Sequence, residues 1–231
     1  MKKSINQSTL TVILNGFSIL ALIFMGLALF SNSHIRNLLN TANAERFDLT
    51  YNANRFMNGS AYLTNEVRAF AATGEQQHYD NYMLEVNEWK NRDLGVAAMQ
   101  EIGITEEEQA MIDEMSALSN QLVPLEEESM NMVKAGERES AIDYVYGKDY
   151  STAITKINSL KEQFLTALDT RTLARIDDLN YQAEFIRMAM LITLIVIALI
   201  QLTIMFVTTK RVLRPVIAVR DQMGEISQGN L

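Results

Sequence analysis

The feature that most constrains the fold is a run of 22 residues without a charged side chain, residues 188–209. Only Gln201 and four threonines interrupt its apolar character. At ~1.5 Å per residue, a helix of this length crosses a hydrocarbon layer ~30 Å thick. A surface helix of a soluble protein normally has a polar face, which this run lacks. We therefore predict a transmembrane helix at residues 188–209.

A second apolar run lies near the N-terminus, where Lys2 and Lys3 precede a segment with its apolar centre at residues 12–30. The alternative is a cleaved signal peptide, whose apolar region is ~7–15 residues long and ends in a site of small residues. The run is longer than that and has only a poor cleavage site. This favours an uncleaved span at residues 9–31, after a cytoplasmic segment at residues 1–8.

Two spans place both termini on the same side of the membrane. Within about twenty residues of the spans, six Lys or Arg lie on the terminal side and five lie between the spans. The positive-inside rule therefore favours cytoplasmic termini, with residues 32–187 outside the cytoplasm, in a two-pass protein of the inner or plasma membrane.

The composition between the spans excludes several functions. Residues 31–187 contain 26 Asp or Glu and 14 Lys or Arg, so this section would repel the phosphates of nucleic acids. The chain has no cysteine, which excludes disulfides, thiolate catalysis and cysteine-based metal sites. We expect no nucleic-acid partner and no cofactor.

The section between the spans is predicted to form four helices. The first has apolar residues at a period of seven and ends at Gly74. The second carries an aromatic and apolar stripe, which indicates core packing or, alternatively, a ligand pocket. The repeating residues of the first helix are Ile35, Ala42, Leu49, Phe56, Leu63 and Phe70, and the stripe of the second is Tyr79, Tyr82, Val86 and Trp89.

The third helix is predicted to begin at a capping box, Thr105 with Glu108, and to end at Gly136. The fourth is predicted to begin at Glu137 and to be interrupted at Gly147. After Gly147 it runs into the second span without Gly or Pro. Two long outer helices with a shorter hairpin between them predict an all-α, up-down-up-down antiparallel four-helix bundle flanked by two transmembrane helices.

No catalytic constellation is present, so we do not expect an enzyme. His34 and His78 are too few for a histidine-based metal site, and there is no phosphate-binding glycine loop. The acidic runs 106–108 and 126–128 could attract divalent cations. Three consecutive acids point around a helix rather than together, so we interpret both runs as solvated faces and predict no metal site.

Arginines on the long helices are candidate ligand contacts, because a planar multi-donor cation suits an organic anion between helices. Arg55 and Arg68 lie on the first helix, and Tyr144 and Tyr150 lie early on the fourth, where helix geometry could bring them near Arg68. We predict these four as ligand-binding residues, although each alone is also compatible with a structural role.

Three segments together resemble bacterial methyl-accepting chemotaxis proteins. Residues 65–75 (NEVRAFAATGE) are similar to the tip of the first helix in their four-helix-bundle sensor, and residues 136–150 (GERESAIDYVYGKDY) to the start of its last helix. Residues 211–231 resemble the first helix of a HAMP domain. The matching HAMP positions are Pro215, Glu225, Ile226, Gly229 and Leu231.

The resemblance implies a homodimeric chemoreceptor input module that senses an extracytoplasmic small molecule or partner protein. A displacement of the last helix would pass through the second span to a partial HAMP domain at residues 210–231, with Pro215 and Glu225 in transmission. In one branch of the family, arginines of the first helix hold a ligand carboxylate at the dimer interface; Arg68 falls in a comparable region, but the full arginine set is not matched.

The chain departs from the family pattern at its end, because no methylated helices or signalling tip follow residue 231. Contact with a downstream adaptor and kinase would therefore depend on a missing cytoplasmic part. The alternatives are the input half of a sensor histidine kinase or diguanylate cyclase, and a membrane-tethered scaffolding bundle without a ligand.

Overall fold

The computed structural model describes residues 7–227, which are nearly all helical and contain no strand. The predicted all-α class is confirmed. Residues 1–6 of the predicted N-terminal segment, and Gly229 and Leu231 of the HAMP-like stretch, lie outside the described residues. The helices are α1 (Gln7–Thr73), α2 (Gln76–Leu84), α3 (Asn91–Ile102), α4 (Glu106–Lys134), α5 (Arg138–Tyr146), α6 (Lys148–Thr208) and α7 (Arg214–Ser227).

Among the described residues, the chain divides into two compact units. We call residues 7–39 with 178–227 the apolar unit, and residues 40–177 the polar unit. The names refer to the side chains that each unit presents on its surface.

The apolar unit exposes most of its large hydrophobic side chains, and Ser18 and Thr193 are among its buried residues. Phe24, Leu194 and Phe206 are at least half exposed, whereas Ser18 is only 5% exposed. The amide Nε2 of Gln201 donates a hydrogen bond to Ser18 Oγ over 2.9 Å. Apolar segments near the N-terminus and in α6 have mean hydropathies of 2.4 and 2.8 over 18 residues. Both helices are therefore long and apolar enough to cross a membrane.

The polar unit has two clusters of buried apolar side chains. The first joins α1, α3, α4 and α6 through residues such as Phe56, Met99, Ile112 and Phe164. The second joins α1, α2, α4, α5 and α6, and Val67 and Val145 are fully buried in it. The predicted period of seven in α1 is confirmed over five positions, because Ile35, Ala42, Leu49, Phe56 and Phe70 are all buried.

The predicted helix boundaries at three positions are confirmed. Gly74 and Gly136 adopt φ of 73° and 86°, a left-handed conformation that glycine tolerates best. At the start of α4, Glu108 N donates to Thr105 Oγ1 over 3.1 Å, and Thr105 N donates to Glu108 Oε2 over 2.9 Å. The capping box therefore closes on itself as its sequence predicts.

The predicted second helix is divided in two, because a π-helical turn at Glu85–Trp89 and a left-handed residue, Lys90 with φ of 47°, separate α2 from α3. Glu85 is 3% exposed, and its carboxylate accepts hydrogen bonds from Asn91 Nδ2 (2.9 Å) and Arg92 N (3.4 Å). The carboxylate thus accepts from one of the backbone amides that have no helical partner in the first turn of α3. The predicted core stripe is only partly correct, because Tyr82 is buried while Val86 and Trp89 are each 45% exposed.

The sequence predicted that the acidic run at the start of α4, residues 106–108, is a solvated face. This prediction is wrong for Glu108. Glu108 is only 2% exposed, and its two carboxylate oxygens accept hydrogen bonds from Arg171 Nε and NH2 over 2.8 and 3.0 Å. This bidentate pair joins the start of α4 to α6 and compensates the burial of the carboxylate.

Candidate functional site

The polar unit contains a cavity of about 240 Å³ between α1, α4 and α6, with a contribution from α3. Its wall combines apolar side chains with hydroxyl, amide and charged groups. The lining residues are Phe56, Met57, Ser60, Ala61, Leu63, Thr64, Asn65, Arg68, Arg92, Met115, Ser119, Leu122, Val123, Glu126, Ile154, Ile157, Asn158 and Lys161. A cavity of this size and character suits a small molecule.

Arg68 lies at the cavity wall and is held by groups at the junction of α5 and α6. Its Nε donates to the backbone oxygen of Val145 over 3.0 Å. Its guanidinium carbon lies 4.7 Å from the ring centroid of Tyr146 and 5.2 Å from that of Tyr150. These are cation–π distances, so the two rings stabilise the charge, and Arg68 forms no ion pair with residues 7–227.

The four predicted site residues are therefore only partly assembled. Arg68 and Tyr150 lie together as the helix geometry suggested, whereas the Tyr144 side chain is 39% exposed and does not line the cavity. Tyr146, which is 51% exposed, makes the contact with Arg68 instead.

Arg55 belongs to a different part of the polar unit. Its Nε donates to Asn91 Oδ1 over 2.9 Å, and Asn91 in turn donates to the buried Glu85. It lines an open groove that also contains the neighbouring rings of Tyr62 and Trp89, whose centroids are 5.8 Å apart. The structure does not bring Arg55 and Arg68 to one site.

Glu126 connects the cavity to three helices. Its carboxylate is 4% exposed and accepts hydrogen bonds from the hydroxyls of Tyr82 in α2 and Tyr150 in α6, each 2.6 Å long. Burial, and then the nearby Glu126 carboxylate, raises the pKa of both tyrosines well above the ordinary value, so both hydroxyls stay protonated donors. The interpretation of this residue as part of a solvated acidic face is wrong.

The physical reason is the position of Glu126 on α4, one turn after the buried Leu122 and facing the same core. Its neighbours Glu127 and Glu128 are exposed, as three consecutive helical residues must point in different directions. A sequence signal was available, because Glu126 continues the spacing of Met115 and Leu122 along the helix.

Two further cations line the cavity, and the sequence reasoning missed both. Arg92 donates through NH1 to Ser119 Oγ (2.8 Å) and through NH2 to Asn120 Oδ1 (2.9 Å). Lys161 of α6 is half-buried and forms no ion pair or hydrogen bond with the residues that the structure describes. The cavity wall thus carries three cationic groups and one carboxylate.

The predicted transmission residues lie in the apolar unit. Pro215 is the second residue of α7 and follows a π-helical turn at Thr209–Leu213, in which Arg214 N donates to Thr209 O. Proline cannot donate a backbone hydrogen bond and crowds the carbonyl four residues before it, so a change of helical pattern at this point is expected. Glu225 also lies in α7, but its side chain is outside the described part of the chain.

Histidine and carboxylate groups do not assemble a metal site within residues 7–227. His78 instead lies 2.7 Å from Glu66, from Nδ1 to Oε2. The arrangement around the cavity offers fixed positive charge, hydroxyls and apolar surface, which are the elements of a binding site.

Comparisons of the chain with protein-family models, with curated proteins and with solved structures find no match.

Proposed function

We propose that the chain is the input module of a homodimeric transmembrane chemoreceptor, with the polar unit outside the cytoplasm sensing a small molecule or a partner protein. In this proposal α1, α2 with α3, α4, and α5 with α6 are the four members of an antiparallel bundle. The apolar segments of α1 and α6 cross the membrane, and α7 begins a HAMP domain on the cytoplasmic side.

The observation that carries the proposal is the extent of α6. It is one helix, Lys148–Thr208, whose first part includes the cavity residues Ile154 and Lys161. Its last part is the more apolar of the two candidate membrane segments in the described residues. A helix transmits a displacement along its axis because its backbone hydrogen bonds keep it stiff. Occupation of the cavity would therefore reach the membrane segment directly.

The contacts of Tyr150 supply a way for the cavity to act on α6. Tyr150 is fixed by its hydrogen bond to Glu126 and by the neighbouring Arg68, and both of these residues line the cavity. A ligand that draws Arg68 towards itself would weaken the cation–π contacts at the start of α6. The start of α6 would then shift to a second position. The size of the response depends on how much more tightly the ligand binds the protein with α6 in that second position than in the first.

The experiment is a hybrid receptor in which α7 is joined to the remaining HAMP and signalling part of a characterised chemoreceptor. Kinase activity is recorded in cells while a library of amino acids, organic acids, amines, sugars and peptides is added. We expect at least one compound to change the activity. A hybrid with active kinase that responds to no class of compound would support the scaffolding alternative and overturn the proposal.

A matched control tests the role of α6. Four glycines inserted after Arg187 interrupt the helix without touching the cavity residues. We expect this variant to lose the response while the isolated protein still binds the compound. An unchanged response would show that α6 is not the transmitting element.

A further inference from the structure

The charges around the cavity are not balanced by the protein itself. Arg68 and Lys161 have no carboxylate within ion-pair distance among the described residues, and Arg92 has only the exposed Asp93, 3.7 Å away. The carboxylate that does line the cavity, Glu126, already accepts a short hydrogen bond at each oxygen. Positive charge is therefore left for a ligand to satisfy.

Arg68 is prepared for such a ligand. Its hydrogen bond to Val145 O uses only Nε, so both terminal nitrogens are without a protein partner in the described residues. The guanidinium also lies against the rings of Tyr146 and Tyr150. A planar guanidinium with free terminal nitrogens matches the two oxygens of a carboxylate.

The remaining wall is apolar. Leu63, Met115, Leu122 and Ile157 from three helices line the same cavity, and Met115 and Leu122 are almost fully buried. An inorganic anion would leave this surface without contacts. A ligand with both a charged group and an apolar body would use the whole wall.

We propose that the cavity binds a small organic carboxylate with an apolar body, held within the helices of a single polar unit. Arg68 binds the carboxylate, Lys161 contributes a second positive charge, and the α1, α4 and α6 side chains cover the apolar body. This inference rests on the proposed function for its biological meaning, since it names the ligand class of that sensor, but binding is measurable without any signalling.

The experiment uses the full chain in lipid nanodiscs. Thermal shift and titration calorimetry are applied with hexanoate, benzoate and adipate, with their amides hexanamide, benzamide and adipamide, and with hexylamine and benzylamine. Each amide matches the shape of its acid without the charge. We expect at least one carboxylate to raise the melting temperature at millimolar concentration, and its amide and the amines to have no effect.

Substitutions locate the site. Arg68→Gln should weaken binding of that carboxylate roughly tenfold or more, because a charge-assisted hydrogen bond is lost. Lys161→Gln should weaken it about threefold, since this side chain is half-buried and does not support the core. Arg46→Gln and Lys156→Gln are the controls. They remove surface cations from the same two helices, paired with Asp169 and Glu114, and should leave the Kd unchanged.

Three results would overturn the inference. The first is that the amides or the amines bind as tightly as the acids. The second is that no carboxylate changes the melting temperature. The third is that the Kd is unchanged in both single variants, Lys161→Gln and Arg68→Gln. If Arg68→Gln fails to fold, the comparison of the carboxylate Kd in Lys161→Gln with that in Lys156→Gln tests the site.

The experiments distinguish failure of the proposed function from failure of the proposed binding site. A carboxylate that binds in nanodiscs without changing hybrid kinase activity contradicts the proposed function, whereas a hybrid that responds only to amines, sugars or peptides contradicts the site.

Discussion

The apolar and the polar unit are both built from long helices, yet they place their side chains in opposite ways. Phe164 in the polar unit is fully buried, whereas Phe206 in the apolar unit is 62% exposed. Ser18, a polar residue, is among the few buried side chains of the apolar unit. In water, apolar side chains are buried away from the solvent. In hydrocarbon, apolar side chains can face the surroundings, and polar groups must find partners inside the protein. This difference is what the membrane location that we propose for the apolar segments would produce.

The two units also bury polar groups differently. The polar unit buries whole carboxylates, Glu108 and Glu126, and gives each strong partners from other helices. In the described part of the apolar unit, the buried polar side chains are the hydroxyl residues Ser18 and Thr193. Ser18 accepts from Gln201, and Thr193 Oγ1 donates to Ala189 O within its own helix over 2.8 Å. A unit surrounded by hydrocarbon must satisfy its polar groups internally and has little capacity for charge.

The comparison predicts its largest effect for truncation of an aromatic side chain in each unit. Phe164→Ala should lower the free energy of unfolding by about 4 kcal/mol, because it leaves a void in a packed core. Phe206→Ala should cost less than about 1 kcal/mol, since lipid or detergent tails replace the lost contacts. Denaturant unfolding of the full chain in detergent, followed by far-UV circular dichroism, measures both. Equal losses would show that Phe206 is packed against protein.

A charge placed on each surface should distinguish the two solvents. Leu194→Arg, at a position 58% exposed in the apolar unit, should disfavour membrane insertion by about 3 kcal/mol. Leu94→Arg, at a position 46% exposed in α3, should change stability by less than about 0.5 kcal/mol. The inserted fraction in microsomes or liposomes, measured by alkaline extraction, is the test. Normal insertion of Leu194→Arg would contradict a hydrocarbon environment for this face.

Much of the fold could be predicted because its signals are local. Gly74, Gly136 and the Thr105–Glu108 box each depend on a few adjacent residues, and each acts in the structure as the sequence indicates. The break at Lys90 could not be predicted in this way. The buried Glu85 just before it accepts hydrogen bonds from Asn91 and Arg92 of the next helix, and Asn91 in turn accepts one from Arg55 of α1. Tertiary contacts decide such positions.

The buried carboxylate that lines the cavity, Glu126, gives the next prediction. Glu126→Ala should lower the free energy of unfolding by at least about 2 kcal/mol, because it leaves the hydroxyls of Tyr82 and Tyr150 buried without an acceptor. Glu127→Ala, at the exposed neighbouring position, should be neutral within about 0.5 kcal/mol. Chemical denaturation of both variants is the measurement. A small effect of Glu126→Ala would mean that water replaces the carboxylate.

The candidate site was less predictable than the fold. The proximity of Arg68 and Tyr150 could be predicted from helix lengths alone. Arg68 lies near the end of α1 and Tyr150 near the start of α6, and these two helix ends meet in an antiparallel arrangement. Arg92 and Lys161 could not, since their approach to the cavity depends on the break before α3 and on the exact rotation of α6. A sequence shows which residues share a helix face, and packing between helices determines which faces meet.

A titration should also distinguish the two units, because the buried network of the polar unit is ionisable and the Ser18–Gln201 hydrogen bond of the apolar unit is not. The folded-state pKa of Tyr82 and of Tyr150 is raised above the ordinary value of 10.0. Their contribution to stability is therefore complete below pH 10 and is lost as the pH rises towards the folded-state pKa. Above about pH 10, each tyrosine should lower the free energy of unfolding by an amount that approaches ~1.4 kcal/mol per pH unit.

The test compares the free energies of unfolding of the wild type and of the double variant Tyr82→Phe/Tyr150→Phe between about pH 8 and 11. The double variant should be less stable at pH 8 and should lose less stability above pH 10, and parallel curves would show that the two hydroxyls titrate as they do in the unfolded chain.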